Sequence, residues 1–362
     1  IKIVGKSEWQ KKLGDVVEVL IGGTPSRANS DYFEGKHLWV SISEMNGQII
    51  HDTKEKISDD GVKNSNVKLI PKGTTLLSFK LSIGKTAIAG RDLYTNEAIA
   101  GLVPKTKDLR DDYLFHLFNG KIIDLEKDNF NTFGKSLNST FLKNEVKIPL
   151  PPLNIQEQIV KECQKVDDEV SKANETIEQS EKNILEVMNS SNKNSIMKLG
   201  EACDMKAGKF VSASDIFDQN NDGSLYPCFG GNGQRGFTKT FTHDGVYPII
   251  GRQGALCGNI KLAQGKFHAT EHAVVVTPLI EMNIKWLYHQ LILLNLNQYA
   301  TGTAQPGLSV NNIKTVSIQV PSLETQKEIV SKIEKLETII NEAKKIVASA
   351  KEKKEEILKN YL

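Results

Sequence analysis

Ile148-Pro149-Leu150-Pro151-Pro152-Leu153-Asn154-Ile155-Gln156-Glu157-Gln158-Ile159-Val160 returns 170 positions later as Ile318-Gln319-Val320-Pro321-Ser322-Leu323-Glu324-Thr325-Gln326-Lys327-Glu328-Ile329-Val330. Leu153 matches Leu323, Gln156 matches Gln326 and Ile159 matches Ile329. Working outward, Lys12-Leu13-Gly14-Asp15 reappears as Lys198-Leu199-Gly200-Glu201, and Glu97 and Pro104 fall opposite Glu271 and Pro278 at an offset of 174. A repeat of this length reorganises every other reading of a chain. This one is written twice, each time as a globular block followed by a helix.

The helices carry the clearest periodicity. After Pro321, apolar residues fall at Ile329, Ile333, Leu336, Ile340, Ala343, Val347, Ala350 and Ile357, with Lys354 in one seam position. These alternating steps of four and three make a heptad seam. Shifted back by 170, the seam reads Ile159, Cys163, Val166, Val170, Ala173, Ile177, Ser180, Ile184 and Val187. Asn154 with Glu157 has the spacing of a capping box, and the prolines before it cannot continue a helix backwards. Asn189-Ser190-Ser191-Asn192 ends the first helix with poor helix formers. Roughly 39 residues at 1.5 Å rise give helices about 55–60 Å long. A single narrow stripe of that length must be buried on a partner. The spacing favours pairing of the two helices over packing of each on its own block.

A chain of 362 residues has length for two or three domains. The boundaries expected are 1–150 for the first block, 151–195 for a central helix, 196–320 for the second block and 321–362 for a C-terminal helix. Both blocks read as mixed α and β. Leu38–Ile42, Thr74–Phe79 and Tyr247–Ile250 have strand character, while Asp112–Phe118 and Ile284–Leu294 have helix character. Charge is unevenly divided. Asn154–Asn192 carries nine acids and four lysines, and Glu324–Leu362 eight acids and nine lysines, so the net +2 leaves an excess of +6 on the blocks. That permits nucleic-acid binding without demanding it. No stretch approaches the ~18 apolar residues of a membrane span. Ile1 to Lys6 has no signal-peptide core and no Met, as an internal start in a longer gene would, and four cysteines make no disulfide framework. A cytoplasmic protein that engages no membrane is expected.

Chemistry-bearing motifs are weak. A phosphate loop would need glycine five residues before its second glycine, but Phe79 precedes Gly84-Lys85-Thr86 and Asn129 precedes Gly134-Lys135-Ser136. Gly231-Asn232-Gly233-Gln234-Arg235-Gly236 matches G-x-G-x-x-G, yet strand-like Phe237–Phe241 follows where a helix should begin. A surface loop is expected. Cys228 and Cys257 are too far apart for a zinc finger with His268 and His272. No nucleophile elbow and no adenine-methyltransferase N-P-P-Y or D-P-P-Y run occurs. No active site, metal or cofactor is expected on this chain.

In their doubled order, these motifs resemble the specificity (S) subunit of type I restriction–modification systems. The likeness rests on Lys12–Val16 running into Gly22-Gly23-Thr24-Pro25-Ser26-Arg27, on Leu38-Trp39-Val40-Ser41, on Thr301-Gly302-Thr303-Ala304-Gln305-Pro306-Gly307-Leu308, and on both Pro-x-Leu-x-x-Gln-x-x-Ile-Val helix starts. It implies an α+β fold with two mixed α/β target recognition domains joined by two long antiparallel coiled-coil helices, a pseudo-twofold internal repeat. Each domain would read one half of a bipartite site on double-stranded DNA. The helices would dock two modification subunits, with restriction subunits where present. Adenine methylation and DNA cleavage would belong to those partners, using S-adenosylmethionine, ATP and Mg. Two similar readers on a stiff rod require half-sites at fixed spacing, with centres at least about 34–36 Å apart.

Base reading needs paired donors and acceptors, and phosphate binding needs cations, hydroxyls and exposed amides. The candidates in the first block are Thr24, Ser26, Arg27, Ser41, Lys80, Lys85 and Arg91, the last three expected to cluster around Gly84; Glu44 reads as ordinary surface. In the second block they are Gln234, Arg235, Lys239, Arg252 and Gln253, with Arg252-Gln253 placed first. Seam residues Ile159, Val166, Val170, Ile177, Ile329, Ile333, Leu336, Ile340 and Val347 are the candidates for helix and partner contact. Two rival readings are a free-standing DNA methyltransferase with its own recognition domain and a coiled-coil scaffold with no role on DNA. Tight adenosylmethionine binding or indifference to duplex DNA, respectively, would favour them.

Overall fold

The structure is a computed structural model that describes residues 6–80, 82–120, 123, 125, 138–190, 195–221, 223–254, 256–302 and 306–362. Gly134-Lys135-Ser136, Ser191-Asn192 and Thr303-Ala304-Gln305 lie outside the described residues. The chain forms two compact units, Ile1–Asn174 with Lys344–Leu362, and Glu175–Ala343.

The first unit runs β1 (Gln10–Lys12), α1 (Leu13–Val16), β2 (Val17–Ile21), β3 (His37–Val40), β4 (Ile49–Ile50), β5 (Glu55–Ile57), α2 (Asp59–Lys63), β6 (Thr75–Ser78), β7 (Thr86–Ala89), β8 (Tyr94–Thr95), β9 (Ile99–Pro104), α3 (Asp111–Asn119), α4 (Ser139–Asn144), β10 (Lys147–Pro149) and into α5 (Leu153–Asn189). Its sheets have the orders β2-β9-β6-β7-β4, β5-β3-β8 and β1-β10. The second unit follows with β11 (Ser195–Lys198), α6 (Leu199–Ala202), β12 (Cys203–Ala207), β13 (Tyr226–Gly230), β14 (Gly233–Thr238), β15 (His243–Gly251), β16 (Ile260–Ala269), β17 (Ala273–Pro278), α7 (Ile284–Leu293), α8 (Val310–Lys314), β18 (Ser317–Val320) and α9 (Leu323–Tyr361). A six-stranded sheet, β12-β17-β15-β16-β13-β14, dominates it, beside the pair β11-β18.

The repeated motifs do the same mechanical work in both units. Leu13 and Leu199 are fully buried, and their N–H groups donate to the carbonyls of Val146 and Val316, both at 2.8 Å. The next residue is glycine because the chain end of the block passes against it. A Cβ on Gly14 would come within 2.7 Å of the Lys143 carbonyl oxygen, and one on Gly200 within 2.8 Å of Lys314. Antiparallel pairing of β1 with β10 and of β11 with β18 closes each block onto its own start. Pro104 and Pro278 sit at matching strand positions, opposite Val17 and Cys203.

The helix starts are held by buried glutamines. Gln156 donates to the carbonyls of Pro151 (2.8 Å) and Asp108 (2.6 Å) and accepts from the Arg110 N–H (3.0 Å). Gln326 donates to Pro321 (2.9 Å) and accepts from Asn283 N–H (2.8 Å). Arg110 and Asn283 precede α3 and α7, so each glutamine ties a long helix to the short helix of its own unit. The capping box expected at Asn154 and Glu157 is corrected: α5 begins at Leu153, with the Pro152 carbonyl accepting from Ile155 and Gln156. In α9 the matching position is Ser322, whose hydroxyl accepts from the Thr325 N–H at 3.2 Å.

Each unit contains part of each long helix. In the first, Ile159 and Cys163 of α5 share a core with Leu358 of α9 and with Leu13, Leu114 and Leu117 of the block. Tyr361 donates to Glu162 (2.6 Å), Lys354 pairs with Asp167 and Lys353 reaches Glu169 (3.2 Å), so the helices run antiparallel there. In the second, Met188 shares a core with Ile329, Val330 and Ile333, flanked by Ile184 and Val187. Val166 and Ile340 are buried too, while Val170, Ile177, Leu336 and Val347 are half-buried. Helix-on-helix pairing and packing on the block therefore occur together. Among the described residues no helix is long and apolar enough to cross a membrane.

Candidate nucleic-acid interface

In the first unit the chain leaves β2 through Gly22 and Gly23, whose N–H groups donate to Ile99 and Thr95 carbonyls at 3.1 and 2.9 Å. The Trp39 indole N–H donates to the Gly23 carbonyl at 3.0 Å, fixing the loop that presents Thr24 and Ser26. Thr24 donates to the Glu97 carboxylate, and this bond holds Glu97 below the usual carboxylate range. Arg27 is committed elsewhere. Its guanidinium forks onto Glu55 at 2.5 and 2.9 Å and lies 4.0 Å from the Phe33 ring centroid, raising its own pKa and lowering that of Glu55. It is a buttress of the loop.

Ser41 and Glu44 form a second closed arrangement. The Glu44 carboxylate accepts from the Ser41 N–H (2.9 Å), the Ser41 hydroxyl (2.8 Å) and the Lys54 N–H (2.8 Å). The strand expected to reach Ile42 stops at Val40 because this turn captures the backbone. Glu44, read as surface, thus holds its loop together.

The expected cluster of Lys80, Lys85 and Arg91 does not form. Gly84 turns β6 into β7, with Lys80 and Lys85 at that end, whereas β7 carries Arg91 to the opposite end, where its charge acts on Asp52. Lys80 lies 5.5 Å from the Phe79 ring, and its charge also acts on Glu97. Lys85 lines a cleft of about 440 Å³ with Asn46, Asn119, Asp167 and Lys354. Gly84-Lys85-Thr86 is thus a hairpin turn.

In the second unit G-x-G-x-x-G is the turn and second strand of the β13–β14 hairpin, with Phe229 opposite Gln234 and Gly230 opposite Gly233. No helix follows it, so the amides that a dinucleotide pyrophosphate needs are not assembled. Gln234 donates back to the Gly236 carbonyl (3.3 Å), Arg235 lies along Gly230, and Lys239 is 5.7 Å from the Phe217 ring. Cys228 sits beside His268 in register, and all four cysteines are free and buried. Among the described residues no group of three His, Cys, Asp or Glu is placed to hold a metal.

Arg252 and Gln253 line a polar cleft of about 480 Å³ with Thr301, Leu308, Ser309 and Asn311. Backbone bonds zip this loop to the distant Thr301–Leu308 motif. Gly254 N–H donates to the Pro306 carbonyl (2.9 Å), Leu308 N–H donates to the Arg252 carbonyl (2.8 Å), and Gln253 bridges Gly307. Two stretches separated by about fifty positions thus form one site, which sequence spacing could not show. The Arg252 backbone is fixed while its guanidinium has no hydrogen bond or ion pair among the described residues. A guanidinium that lines a polar cleft and is not spent on a neighbour has the chemistry for a bidentate contact to guanine or phosphate.

Comparison with known proteins gives a consistent picture. The family model described as type I restriction modification DNA specificity domain matches residues 6–181 and again 192–349. The type I restriction enzyme EcoprrI specificity subunit of Escherichia coli is 32% identical over 357 residues, covering 92% of this chain and 88% of that protein. A solved S subunit of a type I restriction–modification system from M. genitalium is similar in fold, with TM-score 0.58 at 14% identity over 100% of this chain and 97% of that one. A chain from a structural study of type I system assembly and conformational transition gives TM-score 0.59 at 17% identity, covering 97% and 96%.

Proposed function

The chain belongs to the type I restriction–modification DNA specificity family, and from that premise we propose that it reads a bipartite DNA site in the cytoplasm and docks two modification subunits. Restriction subunits join where the system cleaves. Chemistry is left to those partners, which bring S-adenosylmethionine, ATP and Mg. The observation that carries this reading is the doubling. Each unit has the same closure of its block, the same glutamine tether and part of each long helix. One domain in each unit, with boundaries near 1–150 and 196–320, then reads one half-site, and the helices set the spacing.

Thr24, Ser26, Lys80, Lys85, Gln234, Arg235, Lys239, Arg252 and Gln253 remain contact candidates, with Arg252 first. Arg27 and Ser41 shape the loops that others use. Mapping methyladenine across the genome of the source cell is the direct test. A split motif that disappears when this gene is deleted is the expected result; loss of no motif overturns the reading. A salt-dependent gel shift on that motif with the modification subunit present should agree. Arg252→Ala should then weaken binding by roughly 1–3 kcal/mol and relax one base of one half-site. Unchanged affinity and preference would remove it from the interface. An acid at Ile340, which is 6% exposed, should weaken assembly with the modification subunit while the blocks stay folded, as co-elution and circular dichroism would record. Assembly indifferent to that charge would separate the helix seam from docking.

A further inference from the structure

We infer that Phe210 is a specificity-determining DNA contact of the second unit, standing where the first unit places Thr24. The inference rests on the DNA-reading function proposed above. The two loops are equivalent in backbone, not in side chains. Gly22 and Gly23 donate to Ile99 and Thr95; Gly208 and Lys209 donate to Ala273 (3.0 Å) and Ala269 (2.8 Å), each carbonyl 174 positions beyond its counterpart. A Cβ on Gly22 would lie 2.3 Å from the Thr95 carbonyl oxygen, and one on Gly208 would lie 2.0 Å from that of Ala269. Only glycine allows either loop to sit so low on its turn.

The second residue of each loop is clamped by a ring nitrogen. Trp39 donates to the Gly23 carbonyl at 3.0 Å, and His268 Nε2 meets the Lys209 carbonyl at 3.1 Å. Both loops then enter the same turn, Asn29 N–H to Ser26 carbonyl and Asp215 N–H to Ser212 carbonyl. The side chains on this shared frame differ. Thr24 is tied to Glu97, whereas Phe210 cannot donate, and the matching Glu271 keeps a buried oxygen with no hydrogen-bond partner among the described residues.

Phe210 is 75% exposed, the highest value among the exposed large hydrophobic residues described, so it contributes little to the core. Lys209 beside it is exposed and cationic. An aromatic ring next to a lysine on a rigid loop suits an apolar contact to a thymine methyl or a base step beside a phosphate. A protein partner common to both units would meet like side chains on like loops. Two different half-sites require different ones, and hydroxyl against phenyl is such a difference.

The test uses the full chain assembled with its modification subunit and a duplex carrying the motif recovered by methyladenine mapping. Phe210→Ala should lower affinity for that duplex about tenfold and relax one base of one half-site, with melting temperature and assembly unchanged. Phe210→Thr should also shift preference at that base. Wild-type binding with both variants indistinguishable from it overturns this inference alone. Loss of subunit assembly in Phe210→Ala also overturns it, in favour of a protein contact. A wild-type complex without sequence-dependent duplex binding overturns the functional reading and this inference together.

Discussion

Asp167→Ala should destabilise the first unit by about 2–3 kcal/mol, measured by chemical denaturation of the full chain at pH 7. Lys354 interrupts the apolar seam of α9 where the repeat has Ile184, and its side chain is only 7% exposed. It points its ammonium at the Asp167 carboxylate one helix away. Removing one partner of a fully buried pair costs about 3–5 kcal/mol, because the other charge is stranded. Asp167 keeps 37% exposure, so water compensates part of that loss. The double change Asp167→Leu with Lys354→Met removes both desolvation costs and should return stability to within about 1 kcal/mol of the parent. A loss below about 0.5 kcal/mol for Asp167→Ala would mean that the ammonium finds water without its partner.

Lys354 also shows what the sequence could and could not reveal. Its place in the heptad was legible, as were the repeat, both long helices, α3, α7 and the strands β3 and β6. Each follows from local periodicity or from prolines and glycines at element ends. Its partner was not legible, because Asp167 lies 187 positions away and outside the apolar seam. Gln156 and Gln326 were visible as a matched pair, but their tethering of α3 and α7 depends on carbonyls that only the fold brings near. The surroundings of the candidate contacts were not legible for similar reasons. Arg27 has the right chemistry but meets Glu55 of β5 and the Phe33 ring, whereas Arg252 lines a polar cleft beside an isolated bridge between Gln253 and Gly307, some fifty positions on. Phe210 carries no motif in the sequence, where a lone phenylalanine most often belongs to a core. Its exposure and the loop it shares with Thr24 are tertiary facts.

Acidification should expose the other consequence of the buried lysine. His116 is 3% exposed on α3, its Nδ1 has no hydrogen-bond partner among the described residues, and burial, reinforced by the charge of Lys354, pushes its pKa down to about 4. Asp167 and Asp112 act in the opposite direction and are outweighed. Below about pH 6.5 the unfolded chain takes up a proton that the folded unit refuses, so stability is complete above that pH and falls as pH drops toward 4. The loss should reach about 2 kcal/mol by pH 5 and roughly 3 kcal/mol by pH 4. Carboxylates held low, such as Glu55 and Glu97, add their own loss only at the acid end of that window. His289 on α7, where Asn283 matches Arg110 in bonding its glutamine, is the counterpart of His116. It too is lowered by burial, with Lys285 acting in the same direction, while Glu337 at 3.7 Å and Glu334 oppose the shift. The second unit therefore adds a contribution of the same sign, opposed by these two carboxylates. Comparing unfolding free energies at pH 7 and pH 5, His116→Gln should remove most of the difference, and Lys354→Met should reduce it by releasing the histidine from the nearby cation. An acid loss unchanged in His116→Gln would place the titrating group elsewhere and leave the buried histidine as packing alone.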